Sequence, residues 1–104
     1  MEKIGQLFRL GLWTVKPENA AEFIAAWQSS AEWLAQNLPG ERGGVLMEDI
    51  NDSGKFISFA PISVSENVEE AMAKAEFQAL MSRVMDLCEG VKPNNMRVVG
   101  GVGR

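Results

Sequence analysis

The 104-residue chain contains no histidine and no tyrosine. A histidine-ligated haem or zinc, a histidine general base and a Ser-His-Asp triad are therefore excluded outright. A single cysteine, Cys88, cannot close an internal disulfide and fits a reducing compartment. No apolar run approaches the length of a bilayer span, and the first residues carry no signal-peptide pattern. A cytoplasmic protein with no membrane partner is the expectation. No run of like charge exceeds the pair Glu69-Glu70, so there is no polyionic tail. Lys and Arg total 10 against 14 Asp and Glu, a formal charge of −4. Nucleic-acid affinity is carried mainly by cations neutralising phosphates, so no nucleic-acid partner is expected.

What is present reads as one folded domain over residues 1–104. Apolar residues make up 46% and charged residues 23%, the balance of a packed domain small enough to gain from a partner's surface. Ile4 to Val15 is rich in apolar and β-favouring residues and reads as a first strand. One side of it carries Ile4, Gln6, Phe8, Leu10 and Leu12; the other carries Leu7, Arg9, Gly11, Trp13 and Val15. Lys16-Pro17-Glu18-Asn19 then opens a helix. Ala20, Phe23, Ile24, Trp27, Ala31, Leu34 and Leu38 recur at helical spacing until Pro39-Gly40 stops it.

A short second strand is expected at about Gly44 to Asp49. The turn cluster Asn51-Asp52-Ser53-Gly54 leads to a third strand, Lys55 to Ile62, antiparallel to the second. Ser65 is a fitting N-cap for a further helical region. Its apolar residues form two stripes: Val68, Ala71, Met72 and Ala75 share one face, and Phe77, Met81, Val84 and Cys88 share another, rotated by well over 90° at about 100° per residue. This predicts a short helix to about Lys74, a bend, and a longer helix from about Glu76 to Glu89; the alternative is one helix buried on two sides. A fourth strand is expected from Asn95 to Val99, after Lys92-Pro93-Asn94, with 100–104 as a loosely held tail. The order is strand-helix-strand-strand-helix-strand, an α+β split βαβ arrangement with helices on one face of a four-stranded antiparallel sheet. Trp13, Leu7, Ile57, Phe59 and Val99 are then expected on the other face, where so much apolar surface predicts a second copy of the chain.

Leu12-Trp13-Thr14-Val15-Lys16-Pro17, followed by Glu22-Phe23 and Ala26-Trp27, resembles the opening of antibiotic biosynthesis monooxygenase domains. Pro39-Gly40, Leu46 with Asp49, and Phe59-Ala60-Pro61 continue the resemblance, which spans about Phe8 to Val99. It implies a ferredoxin-like βαββαβ protomer, a homodimeric α/β-barrel and a pocket between sheet and helices. It also implies a cofactor-independent monooxygenase acting with O2 on a small aromatic or enolisable substrate. Members that open haem do so with a histidine, which this chain lacks. A non-catalytic dimeric module that binds a small ligand or serves as an accessory partner is the alternative.

Several residues are candidates for that pocket, each with an ordinary role beside it. Trp27, Phe23 and Leu34 lie on the main stripe of the first helix, where core packing competes with a place in the pocket wall. Trp33 lies off the stripe, at an edge of the core or an interface, with the pocket mouth as the alternative. Phe77, Met81 and Met85 give the second helical region a soft apolar surface suited to core or to a flat ligand. Phe8 and Phe59 complete the substrate-pocket set of Phe8, Trp27, Trp33, Phe59, Phe77 and Met81. Arg9, Ser58 and Arg97 are polar strand residues and the candidates for catalysis; pairing of an arginine with Glu48 or Asp49 across the sheet is the structural alternative. Cys88 is expected to be a buried, unactivated thiol. No carboxylate cluster has ligand spacing, so neither metal nor cofactor is expected. Lys55-Phe56-Ile57-Ser58-Phe59 loosely resembles the aromatic strand of an RNA-recognition module, but its glycine and basic residues are misplaced.

Overall fold

The computed structural model describes residues 4–38, 43–62 and 68–103. The Pro39-Gly40 helix stop, the Ser65 cap, the side chain of Val68 and Arg104 lie outside the described residues. Strand β1, Leu7–Thr14, leads through a 3-10 turn at Pro17–Asn19 into helix α1, Ala20–Asn37. Strands β2, Val45–Glu48, and β3, Lys55–Pro61, form a hairpin. Helices α2, Val68–Met72, and α3, Ala75–Leu87, precede β4, Gly90–Arg97. All pairings are antiparallel, in the order β2-β3-β1-β4. This is the ferredoxin-like α+β arrangement.

The expected bend lies at Ala73-Lys74, between α2 and α3. The Gln78 side-chain amide donates to the Met72 carbonyl at the end of α2, tying the two helices across the break. With the chain turned there, α3 aims Phe77, Val84 and Leu87 inward.

Phe23 on α1 is fully buried, with its ring centroid 5.3 Å from that of Trp13 and 5.1 Å from that of Phe56. Val15, Val84 and Leu87 complete the core around these three rings. Register makes Trp13 and Phe56 partners, so the inner sheet face carries Arg9, Gly11 and Trp13 of β1 with Phe56, Ser58 and Ala60 of β3. The outer face carries Phe8, Leu10, Leu12, Ile57 and Phe59, joined by Val45, Met47 and Met96.

This corrects the expected membership of the outer face. Ile57 and Phe59 are there, but Trp13 is a core residue packed beneath α1. Leu7 has the parity of Trp13, and Val99 lies beyond β4.

Strand β4 begins at Gly90, not Asn95, because Pro93 does not interrupt it. Val98 N–H donates to Gln6 O at 2.9 Å, which sets the alternation of the β1–β4 ladder. Gly11 and Pro93 are then a non-hydrogen-bonded pair, and the proline nitrogen faces away from β1 at a sheet edge. The hairpin turn depends on Gly54 (φ +91°), whose carbonyl accepts from Val15 N–H at 2.8 Å. A Cβ at Gly54 would collide with the Val15 carbonyl oxygen.

Candidate functional site

A cavity of about 260 Å³ lies between the inner sheet face and the helices. Its floor is Arg9, Gly11 and Trp13 of β1 and Ser58 and Ala60 of β3, with Val91 and Pro93 of β4 along one side. Trp27, Ser30, Ala31 and Leu34 of α1 form one wall; Met72 of α2 and Phe77, Met81 and Met85 of α3 form the other. Gly43 and Gly44 border it before β2. The helix break places Met72 and Phe77 on the same cavity. Most of this surface is apolar.

Among the described residues, the polar side chains of Arg9, Ser30 and Ser58 interrupt it. Arg9 is the one charged residue of the lining among the described residues, and it makes no ion pair with any of them. Ser30 is buried on α1 and donates its proton to the Trp27 carbonyl at 2.8 Å. Ser58 accepts a 2.9 Å hydrogen bond from Trp13 Nε1. That contact needs Gly11, the register partner of Ser58, because the indole folds back over its Cα. A Cβ at Gly11 would lie 2.8 Å from both Ser58 Oγ and Trp13 Nε1.

Of the residues expected in the pocket, Trp27, Phe77 and Met81 line it, and Trp27 and Met81 also pack against the core cluster. Trp33 is not part of the lining; its ring is tilted against that of Phe77, a lining residue, with centroids 5.6 Å apart. Phe59 borders the cavity along the strand, while its ring packs edge-on against Phe8, centroids 6.0 Å apart, on the outer face. Arg97 pairs in register with Leu7 at the far end of β4 and is not part of the lining. The Arg-to-Glu48 or Asp49 pairing is not formed among the described residues. For Arg97 the strand order is the reason, since β2 and β4 occupy opposite edges. Asp49 instead accepts from Asn51 N–H at 2.8 Å in the turn.

Sequence reasoning passed over Gly11, Trp13 and Ser30 as site residues. The signals were present: Gly11 and Trp13 share the parity of Arg9, and Ser30 lies one helical turn after Trp27. Cys88, half-buried at the end of α3, is not part of the cavity lining. Burial pushes its thiol above the ordinary range, against smaller opposing backbone hydrogen bonds. Among the described residues no three acidic or thiol side chains gather as a metal site, and no helix is long and apolar enough to cross a membrane.

No protein-family model and no curated protein matches the chain. Solved structures do. SnoaB, a cofactor-independent oxygenase from Streptomyces nogalater, superposes with a TM-score of 0.79 at 16% identity, covering 96% of this chain and 99% of that one. A Caulobacter crescentus protein provisionally named an antibiotic biosynthesis monooxygenase gives 0.77 at 17% identity, over 93% and 92% of the two chains. A Nitrosomonas europaea protein of the same provisional name gives 0.75 at 14%, over 99% of each. At these identities the likeness is one of fold.

Proposed function

We propose that the protein is a cofactor-independent monooxygenase that oxidises a small aromatic or enolisable substrate with O2 in the cavity between sheet and helices. The observation that carries this reading is the cavity itself: apolar walls, a serine hydroxyl whose proton has no acceptor among the described residues and one described arginine line a space with room for a small ring. Bound there, a substrate ring would be sheltered on its apolar side and its anion would meet preorganised donors. In the reaction considered, O2 adds to an electron-rich substrate carbon. The resulting hydroperoxide loses water, leaving one oxygen atom as the product carbonyl and the other in water. The substrate supplies all the electrons.

Arg9 and Ser58 are the site residues of this reading, with Trp27, Phe77 and Met81 holding the ring. Arg97 has no part in it. A pocket filled by the side chains of Trp27, Trp33 and Met81 would have favoured a non-catalytic binding or accessory module; the cavity left open beside Trp27 and Met81 favours the oxygenase reading. The fold shared with SnoaB, named a cofactor-independent oxygenase, supports the reaction class.

We also propose that a second copy covers the outer sheet face, completing an α/β-barrel. Leu12, Ile57, Val45, Met47 and Met96 on that face are each 40–47% exposed. Contiguous apolar surface of this kind marks an interaction site.

Oxygen uptake by the purified protein, without added flavin, nicotinamide or metal, tests the function against a panel of hydroxylated aromatics and enolisable ketones. Uptake above buffer, reduced about 10²–10³-fold when the anion-stabilising donor is removed, is the expected result. No acceleration by any substrate would replace this reading with that of a binding module.

A further inference from the structure

We propose that the cavity selects a compact hydroxyaromatic acid, of one or two rings, with Ser58 donating to the ring oxygen and Arg9 facing the acidic group. The inference rests on the reading above, naming the substrate class of the same site.

Among the described residues of the lining, the Ser30 and Ser58 hydroxyls are chemically different. A serine hydroxyl has one proton and two lone pairs. Ser30 has given its proton to the Trp27 carbonyl at 2.8 Å and can only accept. Ser58 is the reverse. An indole N–H is donor only, so the direction of the 2.9 Å contact with Trp13 is fixed: Ser58 accepts. Its proton has no acceptor among the described residues and is left for a ligand. Ser58 therefore offers the cavity an oriented donor set among apolar side chains, where a hydrogen bond to an anionic oxygen is strengthened. Trp13 acts through Ser58 and is a positioning residue.

Arg9 supplies the second recognition point. It lies on the inner face of β1, two residues from the Gly11–Ser58 pair, or about 7 Å along the strand. Arg9 is exposed at the edge of the cavity and makes no ion pair among the described residues, so an anionic group bound beside it would meet an unengaged cation. Size sets the third limit. A cavity of ~150 Å³ holds benzene, so about 260 Å³ admits one or two rings. A neutral polycycle would leave Arg9 unmatched. A fatty acid would satisfy Arg9 but set methylenes against the Ser58 proton.

The test is binding of three probes to the intact protein by calorimetry: 4-hydroxy-3-nitrobenzoate, 2-nitrophenol, which lacks the acid, and 3-nitrobenzoate, which lacks the ring oxygen. The first should bind tightest, by about fivefold over 2-nitrophenol and about tenfold or more over 3-nitrobenzoate. Ser58→Ala should erase the second advantage and leave 3-nitrobenzoate binding unchanged; Arg9→Gln should erase the first. Visible absorbance should show the bound phenol of 4-hydroxy-3-nitrobenzoate ionising about one pH unit below the free probe, a shift lost in Ser58→Ala and reduced in Trp13→Phe. Thermal melts check folding; if Trp13→Phe is unfolded, Ser58→Ala and the chromophore shift decide. Equal binding of all three probes, or a chromophore shift that survives Ser58→Ala, would overturn the proposal. Ser58-dependent binding with no oxygen uptake from any substrate would uphold the ligand class and remove the oxygenase reading. Oxygen uptake from a neutral polycycle, unaffected by Ser58→Ala and Arg9→Gln, would do the opposite.

Discussion

The Trp13 indole N–H reaches back over Gly11 to donate to the Ser58 hydroxyl at 2.9 Å, joining the core to the cavity floor. The same ring packs on Phe23, so one side chain serves stability on one edge and the site on the other. Gly11→Ala would force its Cβ into a contact of 2.8 Å with both hydrogen-bonded atoms. The expected cost is about 1–3 kcal/mol, the range for overpacking, read from urea unfolding. An unchanged midpoint would mean that the indole does not rest on Gly11.

Phe23→Ala should cost about 3–5 kcal/mol, because the ring is fully buried between Trp13 and Phe56. A loss under about 1 kcal/mol in the same unfolding experiment would show that the three rings do not form the core.

Opposite faces of one strand give opposite mutant phenotypes. Leu12→Asp and Ile57→Asp charge the outer face and should convert a dimer to a folded monomer by light scattering, with circular dichroism retained. Trp13→Asp buries a carboxylate in the core and should unfold the chain. Monomeric wild-type protein at micromolar concentration would contradict the proposed assembly.

Cys88 gives a pH-dependent prediction. Burial raises its thiol pKa, so the fold favours the neutral thiol. That stabilisation is fully present below the unfolded thiol value of about 8.5 and is lost as pH rises through the higher folded value. The iodoacetamide alkylation profile of native protein should therefore lie at higher pH than that of urea-unfolded protein. A native profile at or below the unfolded one would contradict this.

Much of this architecture was legible because patterning and architecture agree. The two stripes from Ala71 and from Phe77 cannot face one sheet on a straight helix, and the break at Ala73-Lys74 follows. The parity of Arg9, Gly11 and Trp13 already grouped them on one face. What the sequence could not supply was which face meets the helices, since both are apolar; Trp13 was therefore expected outside. Pro93 read as a strand stop because its harmless orientation depends on ladder phase at a sheet edge. Ser58 stood out as a polar strand residue. That its proton, unlike that of Ser30, is unused depends on a contact between residues 45 positions apart.

Isotope labelling tests the central claim most directly. The purified protein, stripped with chelator and supplied with no cofactor, is incubated under ¹⁸O2 with an oxidisable hydroxyaromatic acid, and the product is analysed by mass spectrometry. The account predicts one ¹⁸O atom in the product and one in water per substrate consumed, with formation slowed about 10²–10³-fold in Ser58→Ala. Product carrying no ¹⁸O, or labelled product formed equally fast by Ser58→Ala, would contradict it.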